Sequence, residues 1–132
     1  MSFLIDTDIG SAHLKGRQAV FNRFVQYGGG LFVSVVTVAK LVVWASRARA
    51  PAKRQADLDD LLQLVTPLEV TMDVARKFGQ LQAALLDAGT PAPALDLLIA
   101  ATALIHGLTL VTHNSQDYTN IPGLTLDDWL IP

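Results

Sequence analysis

Short apolar runs alternate with amphipathic stretches along the whole chain, and each change of period marks an element. The opening run SFLI (2–5) reads as a buried strand that runs straight into Asp6 and Asp8. From 9 to about 27 the pattern is helical, with Ala19, Val20, Phe24 and Tyr27 as a stripe and a break at Gly16. Gly28-Gly29-Gly30 is a loop, 31–36 a second buried strand, and Thr37 starts a helix through about Ala48. Pro51 starts another helix, with Leu58, Leu61, Leu62 and Val65 on one face. Pro67 ends it before a brief strand at 68–70. Thr71 or Asp73 caps a helix over 74–87 that carries Phe78, Leu81 and Leu85 and closes at Gly89.

The clearest pattern is ALDLLIAATALIHGLTLVTH at 94–113. Leu95, Leu98, Ile99, Thr102, Ala103 and His106 recur at helical spacing, Pro91 and Pro93 punctuate the start, and Gly107 marks the stop. Thr109–Thr112 then reads as a buried strand, followed by the polar loop HNSQDY, a short strand near 124–126 and the tail DDWLIP. Strands alternating with helices from end to end predict an α/β sandwich on a mainly parallel sheet. Ligands of such sheets bind beyond the carboxyl ends of the strands, where Asp6, Asp8, Asn114 and Asp117 fall.

With 132 residues the chain predicts one domain, and 51% hydrophobic against 17% charged residues predicts a substantial core. The absence of cysteine excludes disulfides and thiolate metal sites and fits a reducing cytoplasm. A net charge of −2 provides no global basic field for nucleic acid, so such binding would need a local patch. The most apolar stretch, 31–45, is too short for a bilayer and is broken by Ser34, Thr37 and Lys40, and the N-terminus has no signal-peptide pattern.

Asp6, Asp96 and Asp117 are expected to converge at one edge of the sheet, with Asp8 nearby. Clustered carboxylates repel one another, and a hard divalent cation with oxygen ligands relieves that repulsion. Each acid also has a plain structural role open to it: Asp8 as a helix cap, Asp96 as a helix-start charge, Asp117 in a turn.

Taken in order, LIDTDI (4–9), SVVTVAKL (34–41), DLLIAATALIHGLTLVTHNSQDY (96–118) and the closing LTLDDW resemble a PIN domain. More narrowly they resemble a VapC-type toxin of a type II toxin–antitoxin pair. The resemblance implies a PIN-like three-layer α/β/α sandwich and an endoribonuclease dependent on Mg²⁺ or Mn²⁺. It also implies a homodimer held inactive by a VapB-like antitoxin. It places Asp6, Asp96 and Asp117 as metal-binding acids, with Thr112 and Asn114 as polar neighbours that orient water, metal or phosphate.

One position departs from the family pattern: Lys40 stands where SVxTVA is normally followed by glutamate. Its ammonium has no acceptor and cannot activate water as a metal does. Weak metal binding and poor or absent RNA cleavage are therefore expected, unless Lys40 snorkels to solvent. A catalytically silent PIN domain that binds antitoxin or RNA is the alternative.

On the same helix, the family resemblance makes Leu41 and Trp44 candidates for the antitoxin or dimer interface. Arg47, Arg49, Lys53 and Arg54 form a basic cluster that is either a solvated helix end or a set of RNA phosphate contacts. The three histidines lack metal-ligand spacing; His106 reads as a helix-end residue, His113 as near the site, and Trp129 as packing the tail. A haloacid-dehalogenase-like phosphatase with Asp6 as nucleophile would leave the 96–118 block unexplained. A dinucleotide site lacks its glycine fingerprint.

Overall fold

The computed structural model describes residues 1–131. Five strands alternate with six α-helices: β1 Phe3–Ile5, α1 Thr7–Leu14, α2 Gln18–Gln26, β2 Leu31–Ser34, α3 Val35–Ser46, α4 Lys53–Leu64, β3 Thr66–Leu68, α5 Met72–Asp87, α6 Ala94–His106, β4 Thr109–Val111 and β5 Leu126–Asp127. The strands form one sheet in the order β3-β2-β1-β4-β5, and every pairing is parallel. The result is the α/β sandwich on a parallel sheet expected from the alternation, in the three-layer α/β/α form that the family resemblance implies.

Both faces of the sheet are covered, so its strands are apolar at successive positions. Phe3, Ile5, Leu31, Val33 and Val111 point into one core beneath α1–α4, which Trp129 also enters. Leu4 and Leu110 point the other way, beneath α5 and α6. On the first face α1 and α3 approach closely at Gly10, where a Cβ would lie 3.3 Å from the Leu41 side chain.

The boundaries differ from the sequence expectations for local reasons. Ser34 accepts a hydrogen bond from the Val36 amide at 3.0 Å, so α3 starts at Val35 and β2 stops at Ser34. Pro67 lies within β3 rather than before it; β3 is an edge strand, where proline's missing donor is tolerated. The HNSQDY loop contains a 3₁₀ turn over Ser115–Tyr118. The buried face of α6 is also rotated from the expected one. Leu97, Ile99, Ala100, Ala101, Thr102 and Ala103 are buried, whereas Leu95 is half exposed. Small residues at 100, 101 and 103 let α6 lie close against the sheet and α5, a pattern that large-residue spacing alone does not capture.

Candidate active site

The chain crosses outward from β1 to β2 and β3, then returns to place β4 on the other side of β1. This reversal opens a crevice at the carboxyl ends of β1 and β4, the usual ligand position in open parallel sheets. Asp6 directly follows β1 and Thr112 directly follows β4.

Asp6 is 5% exposed and is bound by three donors. Oδ1 accepts from the Thr7 amide at 2.8 Å, while Oδ2 accepts from the Thr112 hydroxyl and the Tyr118 hydroxyl, both at 2.9 Å. As N-cap of α1, Asp6 also sits where the helix dipole favours negative charge. Burial nevertheless pushes its carboxyl above the ordinary range, and the Asp8 charge adds to this; the three hydrogen bonds work in the opposite direction.

Tyr118 is 1% exposed, and burial together with the charges of Asp6, Asp96 and Asp8 raises its phenol far beyond the usual range. It is therefore a permanently protonated donor. The sequence expectations do not single out Tyr118, which falls within the polar loop HNSQDY. Its hydroxyl, one position from Asp117 in an otherwise polar segment, was the available signal.

Asp8 holds the loop after β4. Its Oδ1 accepts from the Ile9 amide at 2.8 Å and its Oδ2 from the His113 amide at 2.9 Å. The His113 ring turns the other way, with Nδ1 2.9 Å from Asp128 Oδ2. The Asn114 backbone N–H donates to the Thr112 hydroxyl at 3.1 Å, so Thr112 links Asp6 to the polar loop.

Across the crevice α3 and α6 meet. Lys40 Nζ donates to Asp96 Oδ1 at 3.2 Å, with both side chains about a quarter exposed. The expected alternative, a Lys40 that snorkels away from the acids, is not the arrangement observed. Asp117 is exposed on the 3₁₀ turn; Tyr118, not Asp117, is the residue of that turn that engages Asp6.

A divalent ion needs several oxygen ligands converging at once. Among the described residues no three acidic or imidazole side chains gather closely enough to share one. Asp6 has three acceptor positions committed to protein donors, and Asp96 faces an ammonium. The side chains as arranged do not fit Mg²⁺ or Mn²⁺ held between Asp6, Asp96 and Asp117.

Two outlying assignments also change. Leu41 is 2% exposed in the core against Gly10, so it is not an interface residue in this fold; Val42 and Val43 carry the exposed apolar surface of α3. Arg54 donates to the Trp44 carbonyl at 3.1 Å and lies 4.9 Å over the Trp44 ring, satisfying a carbonyl at the end of α3. Lys53 stays largely exposed while it pairs with Asp57 one turn away at 3.8 Å, and Arg47 and Arg49 lie beside Arg54 in a surface pocket.

The fold and the acid-lined crevice define a PIN domain: the sequence model of that family matches residues 3–124, and the chain belongs to it. Within the family its relatives are VapC ribonucleases. It is 30% identical to Ribonuclease VapC2 of Haemophilus influenzae over 98% of this chain and 99% of the relative. It is 29% identical to the tRNA(fMet)-specific endonuclease VapC of Shigella flexneri over 98% of each. Among solved structures, the DNA-bound VapBC of Salmonella typhimurium superposes with a TM-score of 0.92 at 28% identity over 98% of each chain. VapBC2 of Rickettsia felis, bound to a promoter DNA fragment, gives 0.91 at 25% identity over 98% and 99%.

Proposed function

We propose that this chain is the toxin of a toxin–antitoxin pair, a VapC-type endoribonuclease whose RNA cleavage is slowed by its own Lys40. The observation that carries this reading is the full-length match to VapC ribonucleases combined with the Lys40–Asp96 pair at the carboxyl edge. A VapB-like antitoxin is its partner, which the likeness to solved VapBC complexes supports; a homodimer in the cytoplasm is the state this reading assigns to the chain.

The chemistry follows from what each residue has left to offer. Hydrolysis of a phosphodiester requires a group to take a proton from the nucleophile and a positive centre for the charge that develops on phosphate oxygens. Lys40 supplies positive charge but has no lone pair with which to take a proton. Asp6 is buried, with three acceptor positions filled, and Asp96 is neutralised by the ammonium. RNA can be held near the crevice, with Arg47 and Arg49 as phosphate contacts, while proton transfer is poorly served. The pair also supports a second reading, a silent module that binds antitoxin or RNA without cutting.

The test is RNA cleavage by this chain and by Lys40→Glu, each with and without Mg²⁺ or Mn²⁺. The variant should cut at least about tenfold faster, the lower end of the loss produced by perturbing the surroundings of a metal ligand. Equal rates in both would show that Lys40 does not slow the site. No cleavage by either, on a broad panel of RNAs, would leave only the binding module.

A further inference from the structure

The acid site is held closed to cations by two separate devices, and only one of them is Lys40. We infer that the Tyr118 hydroxyl is the second: together with Lys40 it makes this a site with its own resident cation and donors, so that tight divalent-ion binding requires changes at both positions. This rests on the PIN-domain reading of the site, but its test needs no RNA and no cleavage.

Three observations lead there. A carboxylate offers about four lone-pair positions, two on each oxygen. At Asp6 both positions of Oδ2 are filled by hydroxyls, Thr112 and Tyr118 at 2.9 Å, and one of Oδ1 by the Thr7 amide. The two hydroxyls differ in what else they could do. Thr112 also lies 3.5 Å from Asp8 Oδ2, so it can turn to another acceptor when Asp6 is occupied. Tyr118 is 1% exposed, and among the described residues its hydroxyl has only Asp6 as partner. An ion that drew Oδ2 away would leave a buried phenol unpaired, a penalty of roughly ten- to hundredfold in affinity.

The second device works on the opposite wall. Lys40 Nζ, 3.2 Å from Asp96 Oδ1, places a positive charge where an incoming cation would seek that oxygen. The two devices touch different acids, Asp6 at the N-cap of α1 and Asp96 in the first turn of α6. Their effects on ion binding should therefore combine, each removable without the other.

The experiment is Mn²⁺ titration by calorimetry on four proteins: the unaltered chain, Lys40→Glu, Tyr118→Phe and the double variant. The unaltered chain and Tyr118→Phe should bind too weakly to saturate at low millimolar Mn²⁺. Lys40→Glu should bind, and the double variant should bind at least about tenfold more tightly than Lys40→Glu, the lower end of the orphaned-donor penalty. Tight binding by the unaltered chain would overturn the proposal, and equal affinities for Lys40→Glu and the double variant would remove Tyr118 from it.

A second readout does not depend on the Tyr118→Phe protein folding. Saturating Mg²⁺ should shift the Tyr118 ring signals of Lys40→Glu in an aromatic carbon spectrum, because the phenol loses or reshapes its hydrogen bond to Asp6. Unchanged Tyr118 signals at saturation would also overturn the role given to it. Mn²⁺ binding by the double variant without RNA cleavage would uphold this inference while the ribonuclease reading failed.

Discussion

At Asp6 burial and hydrogen bonding pull the carboxyl in opposite directions, and burial is the larger effect. The folded protein therefore binds this proton more tightly than the unfolded chain, whose value is the ordinary 3.8. The sign of the linkage follows: Asp6 favours the fold fully below that value, and the benefit is lost as pH rises through the raised folded value. Ionised Asp6 is thus a cost to stability above the raised folded value. Asp6→Asn stays neutral at every pH and can still accept from Thr7 while its amide donates toward the two hydroxyls. Thermal melts should show Asp6→Asn more stable than the unaltered chain at pH 7, with the gap closing as pH falls through the raised folded value toward 3.8. A gap that stays constant with pH would refute the burial account. The sequence shows the acids themselves, because a charged residue at the end of an apolar run stands out. It does not show Tyr118, whose role depends on a contact with a residue 112 positions away.

Among the elements, the α1–α2 hairpin carries the least comfortable side chain. The ring of His13 lies 4.3 Å from that of Phe24 and 6.0 Å from that of Phe21, and both its nitrogens are buried without partners among the described residues. Burial lowers its proton affinity below the ordinary 6.5, so the fold resists charging it. Stability from this group is complete above about pH 6.5 and is lost as pH falls from there through the lowered folded value. His13→Phe keeps the aromatic contacts and removes two unpaired polar atoms; it should add about 1 kcal/mol at pH 7.5, the low end for unmade buried hydrogen bonds. Urea unfolding at pH 7.5 and 5.0 checks both parts, because the variant should also lose the His13 share of acid destabilisation. A variant less stable than the parent at both pH values would mean that the imidazole has a partner in solution. Element types were readable throughout from period and punctuation, as Gly107 illustrates: it ends α6 in the left-handed region at φ 65°, where glycine is favoured. Element ends were less readable. They depend on single caps such as Ser34, and a serine inside an apolar run looks the same whether it caps a helix or lines a strand.

Across the whole molecule, alternation of strands and helices was enough to predict a parallel sheet, because parallel strands need crossover connections. Strand order was not readable, since five short apolar strands of similar composition carry no label of their neighbours. The order is what creates the crevice between β1 and β4, so the site's location followed from a general rule while its partners did not. The C-terminal tail shows how far such closure reaches. Trp129 is 2% exposed and meets Phe3 at 5.1 Å, Tyr27 at 5.8 Å and Phe24 at 6.2 Å between ring centroids, while its Nε1 donates to Asp127 Oδ2 at 3.1 Å. It thereby ties the last strand to the first strand and to α2, and so anchors the backbone that brings Asp128 to His113. Trp129→Ala should cost about 3–5 kcal/mol, the usual range for emptying a large aromatic site in a core. Urea unfolding gives that number, and hydrogen exchange locates it. If the tail closes the whole sheet, amides of β1 and β4 lose protection together with those of β5. If protection is lost only after residue 124, the tail is a local cover and the sheet holds without it.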